Sequence, residues 1–373
     1  MAVGPHIAFC DFNAGAPVSE EVLADFVATE RSCPGNPASA HGAGRRARAV
    51  LEDARQRIAD VFRVDAADVL FTSGGTEAAN LAVRGLGDEA LPVFASAVEH
   101  PAVHEPATAR GERTFATGAD GCAVPVDPGG PVGLVCLVHA QSELGTVQPI
   151  DAAAAVAVAR GIPLFVDAAQ SLGRLPLLPV VARGAFVALS PHKAGGLRGH
   201  GVLLGHDLHR RLRPLLRGGA QELGLRPGTQ SPALASANAL AICRAAQEQP
   251  QRAANMAACR DAFLAGVQAS GARHRVLTPL ANSVPNTAML HFEGVDGRNL
   301  VPALDLAGIQ ASHGSACSSG APTAPRVLLA IGLSPSEARA CVRFSFGWSQ
   351  DARTLHDVGR RAGEVVEALQ KKN

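Results

Sequence analysis

Between about residues 50 and 205, short apolar runs alternate with helical patterns. VLEDARQRIADVF (50–62), TEAANLAVRGL (76–86) and DAAAAVAVARG (151–161) carry the helical pattern. DVLFTS (68–73), LPVFASA (91–97), GLVCLVHA (133–140), PLFVDAA (163–169), AFVALS (185–190) and GVLLG (201–205) read as strands. These runs are apolar throughout rather than at alternate positions, so both faces of each strand must be covered. That predicts an α/β domain with a mostly parallel sheet between helical layers. After the helix ALASANALAICRAAQEQ (233–249) the order changes to MAACRDAFLAGVQASG (helix), NTAMLHFEG (strand), NLVPALDLAGI (helix), ACVRFSFG (strand) and the amphipathic helix LHDVGRRAGEVVEALQKK. This second pattern predicts a smaller α+β domain, giving a large domain over 14–250 and a small one from 1–13 and 251–373.

Composition narrows the function more than the fold. Hydrophobic residues make up 47% of 373, ample for substantial cores. With 34 Lys+Arg against 33 Asp+Glu and no long run of one sign, nothing suggests an electrostatic grip on nucleic acid or anionic lipid. A small neutral or zwitterionic substrate fits better. The N-terminal MAVGPHIAFCDF lacks the pattern of a secretory signal, and the apolar stretches fall short of the roughly 18 residues that span a bilayer. A cytoplasmic protein is expected. Eight scattered cysteines without a CxxC pair argue against a zinc ribbon or a disulfide framework. Cys136 in GLVCLV and Cys243 in LAICRA read as small buried hydrophobes. Cys317, in SHGSACSSGAP (312–322), stands among residues that leave a thiol uncovered.

Three segments offer chemistry. FTSGGTEAANLAV (71–83) runs a strand through Gly-Gly-Thr into a helix, which is either an ordinary βα turn or a cradle for phosphate. PLFVDAAQS (163–171) ends a strand with Asp167 and places Gln170 three residues on; the carboxylate is either a structural cap or a partner for a ligand at the strand's carboxyl end. VALSPHKAGGLRGHGVLL (187–204) sets Ser190, His192 and Lys193 in a Gly-rich bend, where the lysine is either solvated or a Schiff-base amine. A phosphate cup, a carboxylate for a ring nitrogen and an amine for an aldehyde are together the three handles of pyridoxal 5'-phosphate (PLP).

With these segments in hand, the chain resembles the cysteine desulfurases of the NifS/IscS kind, in the class V aminotransferase superfamily of PLP fold type I. The likeness spans nearly the whole chain. It is carried by DFNAGAPV (11–18), GNPASAHGAGRRAR (35–48), SGGTEAANLA, VEHPAV (98–103), ELGTVQPI (143–150), VDAAQSLGRLP, SPHK, GGAQELGLRPGT (218–229), GSACSSG (314–320) and VRFSFG (342–347), in order. The resemblance implies a large domain with a mostly parallel sheet of the seven-stranded type and a smaller α+β domain carrying the cysteine loop. It implies PLP held covalently by Lys193, paired at its ring nitrogen with Asp167, bonded at its phenolic oxygen by Gln170, and stacked under His100, which is counted with Lys193 and Cys317 as catalytic. Gly75, Thr76, Ser190 and His192 would hold the phosphate, and Ser142 would also face the cofactor. Thr229 would reach the phosphate of a neighbouring subunit, which makes a homodimer the expected state. Arg343, with Asn13 beside it, would bind the substrate carboxylate. Cys317 would take sulfur from L-cysteine as a persulfide, release alanine, and pass the sulfur to an acceptor protein; no metal is implied.

The chain departs from the family pattern at three places. Ser142 stands where Asn is usual, Leu223 where Arg is frequent, and Thr323 to Arg326 (TAPR) replace the usual EPSH. Substrate preference and acceptor are therefore less tightly specified than cofactor. One rival is a PLP enzyme cleaving C–S or C–Se bonds without a protein persulfide, as a selenocysteine lyase does. The other is a PLP-free scaffold, which Lys193 and Asp167 argue against.

Overall fold

The computed structural model describes residues 7–127, 129–314 and 324–372. Its largest sheet has eight strands in the order Val69–Thr72, Gly201–Leu204, Phe186–Leu189, Leu164–Asp167, Leu134–Val138, Val93–Ser96, Glu112–Thr117 and Ala123–Val124. Gly201–Leu204 runs antiparallel to both neighbours, Ala123–Val124 is antiparallel to Glu112–Thr117, and the remaining pairings are parallel. The short Ala123–Val124 strand is the addition to the seven-stranded expectation.

The apolar strands are covered on both faces, as their composition requires. In Leu134–Val138, Val135 and Leu137 join a core with Leu51, Ile58 and Phe62 from the helix Gly42–Phe62. Leu134 and Cys136 point the other way, into a core with Leu81 and Val83 of the helix Gly75–Gly85. This period-two partition is why a strand with no polar position is stable here. The pattern missed the helices Glu20–Ser32 and Pro101–Arg110 and the strand Glu112–Thr117. The last, ERTFAT, lies next to the sheet edge: its first four residues pair with Val93–Ser96 and only its last two with Ala123–Val124, and it is half polar because Phe115 alone of its side chains is buried.

A second sheet, His274–Val276, Thr287–Phe292 and Cys341–Ser345, is antiparallel. It packs Phe344 and Leu290 against Phe263 of the helix Gln249–Ala269 and Leu355 of the helix Ala352–Gln370. The helix Pro232–Gln247 stops at Glu248, and the next begins at once with Pro250 in its first turn, where a missing N–H costs nothing. Near the N-terminus, Ala8–Phe9 pairs in parallel with Ile309–Gln310, and Asp11 bridges to Ser345. The segment from Asp11 to Asn13 is thereby laid against the second sheet. Among the described residues no helix is long and apolar enough to cross a membrane.

Candidate active site

A cavity of about 210 Å³ opens where the carboxyl ends of the central strands face the second sheet. Eleven residues singled out in the sequence line it: Asn13, Gly75, Thr76, His100, Ser142, Asp167, Gln170, Ser190, His192, Lys193 and Arg343. Thr229 does not. It lines a separate hollow with His200, Arg226 and Gln230. Cys317 lies outside the described residues.

Lys193 closes a 3-10 turn, Pro191–Lys193, that follows the strand Phe186–Leu189. The bend is fastened from outside. Asn238 Oδ1, on the helix Pro232–Gln247, accepts from Leu197 N at 2.8 Å. Arg252 donates to the Ala194 carbonyl at 3.0 Å while its guanidinium lies 4.3 Å from the centre of the Trp348 ring. At Gly195 the chain adopts φ +96°, with Trp348 so near that even a methyl group would touch it. Asp167 ends the central strand Leu164–Asp167, and its Oδ1 accepts from Ala169 N at 2.9 Å. Strand-end placement puts the carboxylate at the cavity floor.

His100 caps the helix Pro101–Arg110, its Nδ1 accepting from Ala102 N at 3.1 Å. Burial pulls its pKa below the ordinary histidine value, with Lys193 adding to the effect and Asp167 opposing it. A neutral ring whose Nδ1 accepts carries its proton on Nε2. His192 is pushed down to about 4, by burial first and then by Lys193 and Arg198. Both imidazoles therefore serve as neutral dipoles near pH 7.

At the phosphate-sized end, the helix Gly75–Gly85 starts with the N–H groups of Gly75 and Thr76 at the cavity. A Cβ added to Gly75 would lie 2.4 Å from Ser190 Oγ, so glycine is required for the hydroxyl to stand beside the helix start. Orphan amides, a hydroxyl and a neutral imidazole make an anion cradle.

The opposite wall is a hydrogen-bonded relay. Arg174 donates to the Gln170 carbonyl at 3.0 Å, to Gln170 Oε1, and to the Phe12 carbonyl at 3.3 Å. Gln170 Nε2 donates to the Asn13 carbonyl at 3.0 Å. Asn13 Nδ2 donates to the Ser142 carbonyl at 3.1 Å, and Arg343 Nη1 donates to the same oxygen at 3.0 Å. Arg343 Nη2 ends the series on Asp11 Oδ1 at 2.6 Å. Burial raises the Asp11 pKa, against the lowering effects of Arg343 and Lys193. Ser312 exchanges backbone bonds with Arg343.

Sequence reasoning assigned no role to Asp11, Arg174 or Glu99. Glu99, fully buried behind His100, accepts from Ser96 Oγ at 2.5 Å and Val138 N at 2.8 Å, and burial raises its pKa to about 8. Arg174 had a signal that could have been used: a lone charge in SLGRLP, between residues that the sheet buries.

A mostly parallel sheet, a lysine bend beside a strand-end carboxylate, and an anion cradle at a helix start define the fold and site of PLP fold type I enzymes. The chain belongs to the class-V aminotransferase family, whose model matches residues 8–358. It is 31% identical to "Cysteine desulfurase IscS" of Dictyoglomus turgidum, covering 97% of this chain and 95% of that protein. It is 33% identical to "IscS-like cysteine desulfurase" of Mycobacterium tuberculosis, over 91% of each chain. Among solved structures, a "NIFS-LIKE PROTEIN" superposes with TM-score 0.87 at 27% identity, covering 97% of this chain and all of that one.

Proposed function

We propose that this chain is a PLP-dependent cysteine desulfurase, converting L-cysteine to L-alanine and passing the sulfur through Cys317 to an acceptor protein. The observation that carries the reading is the convergence of Lys193, Asp167 and Arg343 on one cavity with the Gly75–Ser190 cradle at its other end. The donor set fits the cofactor. The cradle is open only because Gly75 lacks a Cβ, and its amides and hydroxyl suit a phosphate.

When bound, PLP supplies an electron sink for negative charge at the substrate Cα. Gly75, Thr76, Ser190 and His192 would hold the phosphate, Asp167 the ring nitrogen and Gln170 the phenolic oxygen. Arg343 takes the substrate carboxylate with its planar fork, which fixes the direction of Cα. The Lys193 amine accepts the Cα proton and later returns one. His100, a neutral imidazole at the cavity, would cover the bound group. The Cys317 thiolate attacks the substrate sulfur; the C–S bond breaks with its electron pair going to Cβ, the sulfur stays on Cys317 as a persulfide, and Cβ takes a proton from solvent to become the methyl of alanine.

The same reading divides the chain into a large unit, 14–250, which carries the cradle, and a small one, 1–13 and 251–373, which joins it in the opposite wall through Asp11, Asn13 and Arg343. Thr229, which lines no part of its own cavity, serves the phosphate of a second subunit in a cytoplasmic homodimer.

Mass spectrometry after exposure to L-cysteine, with alanine assayed alongside, tests the proposal. One added sulfur should map to the peptide holding Cys317, and Cys317→Ser should abolish both products. Alanine release without a persulfide would instead make the protein a simple lyase.

A further inference from the structure

The relay along the carboxylate wall has an unusual charge balance. It holds two guanidiniums, Arg174 and Arg343, but one carboxylate, Asp11, and that carboxylate is engaged by Arg343. Arg174 is 4% exposed and its bonds go to two backbone carbonyls and an amide oxygen. Among the described residues no carboxylate pairs with it. A buried guanidinium without a counter-ion is costly, and replacement by an apolar side chain of similar size is often neutral or stabilising. Burial, followed by the repulsion of Arg343, lowers its pKa to about 9. It is still charged at neutral pH. Such breaches of the rules of burial concentrate at functional sites, and here a ligand anion would supply the missing negative charge.

The ligand anion is identified by position. The phosphate cradle is built from the helix start at Gly75 and from Ser190. The Arg174 relay instead joins Gln170, Asn13 and the Ser142 carbonyl to Arg343. We propose that Arg174, which lines no part of the cavity, is a positioning residue for the substrate carboxylate: it places an uncompensated positive charge behind that wall and, by capping Gln170 Oε1, orients Gln170 Nε2 toward Asn13 and so locks the wall on which Arg343 rests. The inference deepens the functional reading above and rests on Arg343 being the carboxylate clamp.

The test compares PLP-loaded wild type with Arg174→Met and Arg174→Lys. Methionine removes the charge and keeps most of the volume; lysine keeps the charge and one donor. Arg174→Met should raise KM for L-cysteine about tenfold, as expected for removing one of two charges across a low-dielectric wall. The effect should fall on KM rather than kcat, binding of L-cysteine methyl ester should not change, and any fall in melting temperature from the acceptors left unpaired should be recovered in Arg174→Lys together with KM. Arg174→Lys should regain most of the lost affinity. An unchanged KM in Arg174→Met would overturn the proposal. So would a loss that falls equally on the ester, or one accompanied by a lower melting temperature that lysine fails to restore. L-alanine binding, read from cofactor absorbance, probes the same subsite without turnover. A wild type that binds L-alanine but releases none from L-cysteine defeats the functional reading, while the Arg174 comparison can still be read.

Discussion

Arg343 and Asp11, 332 residues apart, meet at 2.6 Å with the arginine side chain almost wholly buried. The ion pair fixes the guanidinium before any substrate arrives, so little rotamer freedom remains to be lost on binding. Arg343→Lys should therefore weaken L-cysteine binding by about tenfold or more, because a point charge on a flexible stem offers no fork and cannot satisfy Asp11, the Ser142 carbonyl and a carboxylate together. Steady-state kinetics should place the loss in KM. A KM within error of wild type would remove Arg343 from the carboxylate subsite.

Gly75→Ala asks whether the cradle is real. Its new Cβ meets Ser190 Oγ at 2.4 Å and the hydroxyl must turn away. The helix start itself accepts alanine readily. Folding stability should hold while cofactor affinity drops about tenfold, the worth of a hydrogen bond to a charged group. Equilibrium dialysis against PLP measures this, and undiminished retention would place the phosphate elsewhere.

Glu99 sets a pH dependence of stability. Its folded pKa, raised to about 8 by burial, exceeds the unfolded carboxylate value, so the folded state holds a proton that the unfolded state has lost. Stability is full below the unfolded pKa and declines as pH rises from that range to about 8, at up to about 1.4 kcal/mol per pH unit. Glu99→Gln keeps an acceptor for Ser96 and Val138 without the titration. Its melting temperature should be flatter than wild type between those limits, and parallel curves would show that Glu99 does not carry the slope.

Ser142 bonds the wall through its carbonyl, which any residue supplies, while its side chain faces the cavity. Ser142→Asn should thus leave the relay intact and add one amide to the pocket. A several-fold lower KM for L-cysteine is expected from one net hydrogen bond of about 0.5–1.5 kcal/mol. A loss of activity would mean that the cavity has been reshaped around serine.

The sheet was legible because its strands are apolar at every position, a pattern that only two-sided burial explains. Lys193, Asp167 and Gln170 were legible because chemistry-bearing residues at strand ends stand out against such runs. Asp11 and Arg174 were not. Their meaning depends on charges brought together from residues 11, 174 and 343, and no periodicity within a segment encodes that sum. The Ala123–Val124 strand was missed because two residues at an edge are too few to show alternation. The Pro101–Arg110 helix was hidden by Pro106 in its interior.

The strand pairings also dictate when the enzyme can come into being. Among the described residues Val69–Thr72 has a single partner strand, Gly201–Leu204, made about 130 residues later, and Ala8–Phe9 pairs only with Ile309–Gln310, about 300 residues later. At about 5–20 residues per second of synthesis, the segment bearing Asp11 and Asn13 waits roughly 15–60 s for its partner strand to be made. The nascent chain spends that interval with an open sheet edge and half a pocket. Completion of the wall that joins Asp11 and Asn13 to Arg343 is accordingly a late event, after nearly the whole polypeptide has been made.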